Sequence, residues 1–388
     1  MCWACPGLIE MAGPLEGMLV IAVEQAVAAP YCTARLADAG ARVIKIEREE
    51  GDFARFYDDS APGSSSYFVW LNRGKQSVVL DLAQPDGREK LNGLIAHADI
   101  MVQNLKPGAM ARMGLAIEDL RAKFPRLICC SISGYGDSGP LADRKAYDLL
   151  VQAESGLASI TGGPNEPARV GVSMVDIATG AAAHAAILEA LIMRGKTGDG
   201  ADIRIAMFDV MAEWLTVPLL NAEAGKPPQR MGLAHPSIAP YGVFATADHR
   251  QMLISIQSER EWNAFCAAVL DAPDLATDPR FCTNVMRVRH RDATDAAVGT
   301  ILRRLDGATL IARLTAADIA FAALNDMADL SRHPHLSRIV VATEAGPVRL
   351  PAPAAVVSGP PRRYGSVPGI GEHTAAILAE FSVERMVK

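Results

Sequence analysis

The chain is short of the features that mark several classes of protein. Cations do not outnumber anions: 38 Lys and Arg stand against 44 Asp and Glu, a formal charge of −6. That balance argues against a nucleic-acid-binding surface as the main function. No apolar run is expected to reach the roughly 18 residues that cross a bilayer. The start, "MCWACPGLIEM", lacks the basic stretch of a secretory signal, and Met11 offers an alternative start. Cysteines number seven, at positions 2, 5, 32, 129, 130, 266 and 282. Their odd number and scattered spacing fit reduced thiols in a cytoplasmic protein rather than a disulfide framework. Cys2 and Cys5 form a C-x-x-C, but no second pair follows at zinc spacing, so no metal is expected. Repeats and low-complexity tracts are absent. Half of the 388 residues are apolar and 21% are charged, the mix of a globular chain with room for two or more domains.

The first half alternates two patterns. "GMLVIAVEQ", "RVIKIER", "SVVLDL", "DIMVQNL" and "RLICCSIS" read as strands, with Cys129 and Cys130 as buried strand residues. Between them "YCTARLADAGA", "PDGREKLNGLIAHA" and "DLRAKF" read as helices. Strands separated by helices imply an α/β fold with a parallel sheet, whose ligands bind beyond the carboxyl ends of its strands. The loops there would be "EQAVAAP", "IEREEGDFAR" and "QNLKPGAMARMG". A long Ala-rich helix over "DIATGAAAHAAILEALIMR" precedes the Pro- and Gly-rich segment 222–242. A smaller α/β region then runs to about Asn325. The tail holds strand-like "RIVVATE" and "VRLPAPAAVV" and a closing helix in "GIGEHTAAILAEF". These shifts suggest a large domain over 12–225, a smaller one over 226–325, and a segment 326–388 returning to the first.

Within "VGVSMVDIATG" one charged side chain, Asp176, stands among apolar and small residues. It has two readings: the N-cap of the Ala-rich helix, or a carboxylate taken out of water for chemical use. "GYGDSG", Gly134 to Gly139, satisfies the dinucleotide fingerprint, but Pro140 follows at once with no helix start, so it reads as a glycine-rich turn. Arg48, Lys75, Arg112 and Lys145 each fall in or beside a strand-end loop, where clustered cations would suit a phosphate-bearing ligand. His184 is eight residues beyond Asp176 on the helix, too far for contact, and reads as a packed core histidine. His235, in the loop "GLAHPSIAPYG", is a candidate acid–base group.

Taken together, "GARVIKIER", "LNRGKQSVVLDL", "NLKPGAMARMGL", "SGYGDSGP", "AYDLLVQAESGL" and "VGVSMVDIATG" resemble the class III CoA-transferase family, which also contains α-methylacyl-CoA racemase. The resemblance runs over nearly the whole chain, and its openings and the "AHPSIAPYG" loop look most like the succinyl-CoA-dependent itaconate, mesaconate or citramalate transferases. It implies a Rossmann-like large domain plus a smaller α/β domain, with two chains interlocked as a homodimer. Coenzyme A thioesters would be substrates, with no permanently bound cofactor and no nucleic-acid or membrane partner. By the same resemblance Asp176 is the nucleophile, passing through an aspartyl mixed anhydride and an aspartyl-CoA thioester. Ala28, Arg48, Lys75, Asn104, Leu105, Arg112, Lys145 and Tyr147 match CoA-site positions, and Tyr147, Asp148 and His235 could assist.

Two departures stand out. Val27 replaces a glutamine that contacts the acyl group in formyl-CoA transferase, and "MGLAHPSIAPYG" replaces that enzyme's run of glycines over the site. Racemase members carry a histidine where Tyr147 stands, and a phenol is a poor base at neutral pH, which favours transfer over racemisation. A dicarboxylate acceptor needs a cation for its distal carboxylate; Arg73, Arg169 and Arg230 are the candidates.

Overall fold

Apolar runs of the first half become the strands of one parallel sheet. In the computed structural model, which describes residues 13–358 and 361–383, β1 (Leu19–Val23), β2 (Arg42–Glu47), β3 (Lys75–Val79), β4 (Ile100–Gln103), β5 (Ile128–Ser133) and β6 (Asp202–Ala206) lie in the order β3-β2-β1-β4-β5-β6. Cys2, Cys5 and Met11 fall outside the described residues. Each neighbouring pair is parallel; Val20 faces Val43 on one side and Ile100 on the other.

The helices around this sheet are α1 (Ala28–Asp38), α2 (Ser66–Asn72), α3 (Pro85–Ile95), α4 (Ala109–Arg112), α5 (Ile117–Lys123), α6 (Asp148–Glu154), α8 (Met174–Thr197) and α9 (Met207–Trp214), while α7 (Leu157–Ile160) leaves this part of the chain after Leu157 and α10 (Thr216–Glu223) after Leu220. Strand faces are apolar on both sides, as a doubly covered sheet requires. Val20, Ala22 and Val102 pack with Leu36 of α1 and Ile187 of α8. Ile21, Ile44 and Met101 pack with Leu91 and Leu94 of α3.

α8 corrects one expectation. Its 24 residues reach a mean hydropathy of 1.5 over an 18-residue window, long and apolar enough by length and composition to cross a membrane. The run escaped notice because Asp176, His184 and Glu189 interrupt it. It is used as a core helix: Ala183 and Ile187 are buried against α1 and the sheet, and Arg194 pairs with Asp99 at 3.1 Å. Gly180 lets it approach α1, since a Cβ there would lie 2.4 Å from the Ala28 carbonyl oxygen.

Two compact units divide the chain. The parallel sheet belongs to the unit made of residues up to 157, 169–220 and 337 onward. Residues 158–168 and 221–336 form the other; the short stretch 158–168 carries no compositional mark that separates it. That second unit has an antiparallel sheet of β7 (Tyr241–Ala245), β8 (Gln251–Ser255) and β9 (Ala320–Ala323) over a core of Trp262, Phe265, Leu310 and Leu314. In the first unit, the hairpin of β10 (Arg338–Thr343) and β11 (Gly346–Pro351) precedes a final helix, Thr374–Val383, whose Ile377 and Phe381 enter the core beside Leu91.

Candidate active site

β1 is where the strand order reverses, because its neighbours β2 and β4 lead the chain away in opposite directions. Such a switch point leaves a crevice at the carboxyl edge of the sheet. A cavity of about 550 Å³ lies there. One wall is the loop Gln25–Val27 with Ala28, the start of α1; opposite it stand Ser133 and Gly134 after β5, and Tyr147 and Asp148 at the start of α6. Phe53, Tyr57 and Tyr67 supply an aromatic side, with Tyr57 edge-on to Tyr67 at 5.5 Å. A second cavity of about 280 Å³ shares Gln25 and Leu105 with the first and takes in Arg48, Gly51 and Leu82.

Asp176 lines the larger cavity from the first turn of α8. It is not the cap of that helix. Ser173 holds the N-cap position without a side-chain bond, and the free amides are taken by Asp148. One Asp148 oxygen accepts from the Val175 amide at 2.7 Å and the Asp176 amide at 3.2 Å. The other accepts from Gln152 at 2.7 Å, and Gln152 in turn accepts from the Val170 amide at 2.9 Å. A carboxylate at a helix N-terminus is favourable, so Asp148 performs the capping and leaves the Asp176 carboxyl without a hydrogen-bond partner among the described residues. Burial first, and the Asp148 charge second, push the Asp176 carboxyl up to about 7. The rest of the motif is structural, with Val175 and Ala178 buried and the Thr179 hydroxyl donating to the Val175 carbonyl at 2.7 Å.

Ala28, Asn104, Leu105, Lys145 and Tyr147 all line the cavity with Asp176. Asn104 does so while pinning the first loop: its Oδ1 accepts from the Gln25 amide at 3.0 Å and its Nδ2 donates to the Gln25 carbonyl at 2.8 Å. Lys145 is exposed, Arg48 is exposed on the smaller cavity, and Arg112 is exposed at the end of α4. Lys75 is not at the wall, contrary to expectation. Its ammonium is buried and donates to Glu24 at 2.6 Å, the Pro30 carbonyl at 3.1 Å and Asn72 at 3.2 Å, and burial lowers it to about 8. A phosphate cannot reach it in this arrangement.

Of the three candidate arginines, Arg169 alone lines the cavity, with its side chain exposed. Arg73 is buried in a bidentate pair with Asp38, and Arg230 donates to the carbonyls of Ser159, Gly163 and Pro164 in the second unit. His235 also belongs to the second unit; its Nδ1 accepts from the Ser237 amide at 3.1 Å and its ring stacks on Tyr241. His184 is driven down to about 4, chiefly by burial, as a packed histidine is. Cys129 and Cys130 are buried in β5 and raised to about 12 by burial, which removes them as thiolate nucleophiles. No helix follows the "GYGDSG" turn until Asp148, and Gly134 is required because a Cβ there would meet that of Ala146 at 2.2 Å. Among the described residues no group of three or more His, Cys, Asp or Glu could hold a metal.

Sequence reasoning overlooked Phe53, Tyr57, Tyr67, Lys106, Ser173 and Met207, all cavity-lining. The usable signal was position: Phe53 and Lys106 lie in strand-end loops already marked as ligand-facing.

Fold and cavity together define a doubly wound α/β protein with a cavity at the carboxyl edge of its sheet, bordered in part by Lys106, Arg144, Lys145 and Arg169. Residues 15–374 match CoA-transferase family III, and the chain belongs to that family; it is a CoA-transferase. It is 37% identical over 376 residues to an acetyl-CoA:oxalate CoA-transferase of Acetobacter aceti, covering 95% of this chain and 96% of that protein. Identity to a succinate–glutarate CoA-transferase of Agrobacterium fabrum is 35% over 392 residues, covering 96% and 97%. Among solved structures, a CaiB/BaiF family protein from Brucella suis is 35% identical with a TM-score of 0.83, covering 95% of this chain and 99% of that one.

Proposed function

We propose that the enzyme moves CoA from succinyl-CoA to a short dicarboxylic acid through covalent intermediates on Asp176. The observation that carries this is the desolvated Asp176 carboxyl, without a hydrogen-bond partner among the described residues and raised to about 7, on the wall of a cavity whose lining includes Lys106, Arg144, Lys145, Arg169 and three aromatic rings besides Tyr147. Raised basicity makes a carboxylate a better nucleophile once ionised. An Asp176 oxygen attacks the thioester carbon, the C–S bond breaks, and CoA leaves as thiolate, giving a succinyl–aspartyl anhydride. The thiolate attacks the Asp176 carboxyl carbon, the C–O bond breaks, and succinate leaves. The acceptor carboxylate then attacks the aspartyl-CoA carbon and expels the thiolate. Thiolate attack on the acceptor's acyl carbon completes the exchange and returns Asp176 as carboxylate. Water must be kept out while the anhydride exists.

CoA lies along the two cavities that share Gln25 and Leu105, with Arg48 at its nucleotide end and Lys145 nearer the thioester, a placement supported by these two exposed cations on the cavity linings; Arg112 is exposed at the end of α4, next to Met113 of the smaller cavity. Arg169 reads the distal carboxylate of the acceptor, supported by its being the candidate arginine at the cavity whose charge is not spent elsewhere. The relatives act, by name, on oxalate and glutarate, which supports a dicarboxylate and widens the choice beyond itaconate, mesaconate and citramalate. Five described cysteines free of disulfides fit a cytoplasmic setting.

The working form is an interlocked homodimer. Ile192, Met193, Trp214, Val217, Leu219 and Leu220 are exposed, and α10 buries no residue within one chain; apolar surface of this extent calls for a partner. Light scattering at nanomolar to micromolar concentration should report about twice 41.2 kDa throughout, and an active monomer on dilution would overturn the interlocking.

The activity is tested by mixing the enzyme with succinyl-CoA and glutarate, mesaconate, citramalate, itaconate or oxalate and reading CoA esters by mass. A new acyl-CoA formed with one acid, in step with succinate release, is expected. Exchange at the α-carbon of a single acyl-CoA, with no transfer, would make it a racemase instead.

A further inference from the structure

Beneath the first loop lies a group of buried charges, of which Glu24 and Asp52 also border the smaller cavity. Lys45, Asp52, Glu24 and Lys75 are each less than 5% exposed. Two cations and two anions balance. Lys45 donates to Asp52 Oδ2 at 2.8 Å and lies 3.5 Å from Glu24 Oε1, while Lys75 donates to the same Glu24 oxygen at 2.6 Å. Thr33 closes the far end, donating to Glu24 Oε2 at 2.6 Å. A buried pair of this kind adds little net stability compared with apolar packing, but breaking it is costly, so its position calls for another reason.

Asp52 supplies that reason. Its Oδ1 accepts from the Ala26 amide at 3.1 Å and from the Ala54 amide at 3.0 Å. Ala26 belongs to the first loop and Ala54 to the 3₁₀ turn Phe53–Phe56, and both segments face the cavity, through Gln25–Val27 and through Phe53. One oxygen therefore ties two walls together while the other is held by Lys45. The loop needs holding, because Ala26 sits at φ +65°, a left-handed conformation that costs a non-glycine residue about 1 kcal/mol or more.

We infer that Asp52 is a positioning residue for CoA transfer: as a strut between Ala26 and Ala54 it fixes the width of the slot that holds the acyl group and keeps water from the reacting carbon, and the Lys45–Glu24–Lys75 run behind it holds the strut still. This rests on the aspartyl mechanism above. With the strut gone, water replaces CoA thiolate as attacker of the anhydride: its oxygen bonds to the succinyl carbon, the C–O bond breaks, and the net reaction is succinyl-CoA plus water to succinate and CoA.

The test compares two double variants of equal charge, Lys45→Met/Asp52→Asn and Lys45→Met/Asp52→Ala, in the full-length enzyme. Asparagine keeps an oxygen acceptor for the two amides, whereas alanine does not. The alanine form should transfer with kcat at least about tenfold lower than the asparagine form, with KM for succinyl-CoA within about threefold, and with a higher ratio of hydrolysis to transfer. Equal kcat and equal hydrolysis ratio in the two forms overturn the strut while leaving the transferase reading intact; failure of the unaltered enzyme to transfer CoA to any acid strikes the reading itself. Hydrogen exchange on the unaltered protein decides the strut independently of activity. Ala26 and Ala54 amides should be protected, and free exchange at either overturns it.

Discussion

Asp52 and Asp176 occupy opposite electrostatic settings on two sides of one wall. Burial alone would raise the Asp52 carboxyl, yet the Lys45 charge and three hydrogens donated to its oxygens, from Lys45 and the Ala54 and Ala26 amides, hold it below the usual range. Its own amide donates to Glu47 at 2.9 Å and its carbonyl accepts from the Arg55 amide at 2.9 Å, so the residue is held at every polar atom. Asp176 is also desolvated, but the charge acting on it is another carboxylate, Asp148, and no group among the described residues donates to it, so it rises to about 7. Desolvation is common to both. What differs is compensation: a paired carboxylate becomes an inert structural point, and an uncompensated one keeps its basicity for a reaction.

The largest expected effect breaks this contrast at its reactive end. Asp176→Ala should lower transfer by about 10⁴-fold or more while CoA still binds by calorimetry; turnover near the wild-type rate would leave Asp176 with no role. Next in size, Arg169→Ala should raise KM for the dicarboxylate about 10- to 100-fold, the loss of one charge-assisted contact, with a smaller change in kcat. A dicarboxylate KM unmoved by that change would leave the distal carboxylate without its reader.

The contrast also has a pH signature. kcat/KM should rise with pH to a plateau, with a midpoint near 7 as Asp176 ionises. Asp148→Asn keeps an oxygen for the helix amides but removes the like charge, so the midpoint should move down; an upward move would show that Asp148 does not act on Asp176 through charge. The stability effect is smaller in practice. A carboxyl raised from 3.8 to about 7 on folding binds more protons in the native state, so stability falls as pH rises across that window. The full displacement amounts to roughly 4 kcal/mol at most. Asp176→Asn should therefore unfold a few degrees above wild type at pH 8.5 and at about the same temperature near pH 4. A constant difference at both pH values would contradict the raised carboxyl.

How far the sequence reached follows from the range of each interaction. The alternation of β-branched runs and helical segments made the parallel sheet legible, since the period of a strand and of a helix are local properties. The aspartate in "VGVSMVDIATG" was conspicuous for the same reason, a lone charge in an apolar run. The N-cap reading of that aspartate fails because the capping carboxylate, Asp148, is 28 residues away from the amide it serves. Lys75 and Arg73 looked like free cations in a strand-end stretch. Their partners, Glu24 and Asp38, are 51 and 35 residues distant and nothing nearby announces them. Arg169 and Arg230 were indistinguishable in composition, and only folding shows one spent on carbonyls and the other open to the cavity.

The central claim is that Asp176 carries the group in transit, and intermediate trapping tests it most directly. The enzyme is incubated with succinyl-CoA without acceptor, quenched with hydroxylamine, digested, and the peptide containing residues 170–180 examined by mass spectrometry. The account predicts a hydroxamate at Asp176 that appears only with succinyl-CoA and is absent from Asp176→Ala. Modification of a cysteine, or an unmodified 170–180 peptide under conditions where transfer proceeds, would contradict it.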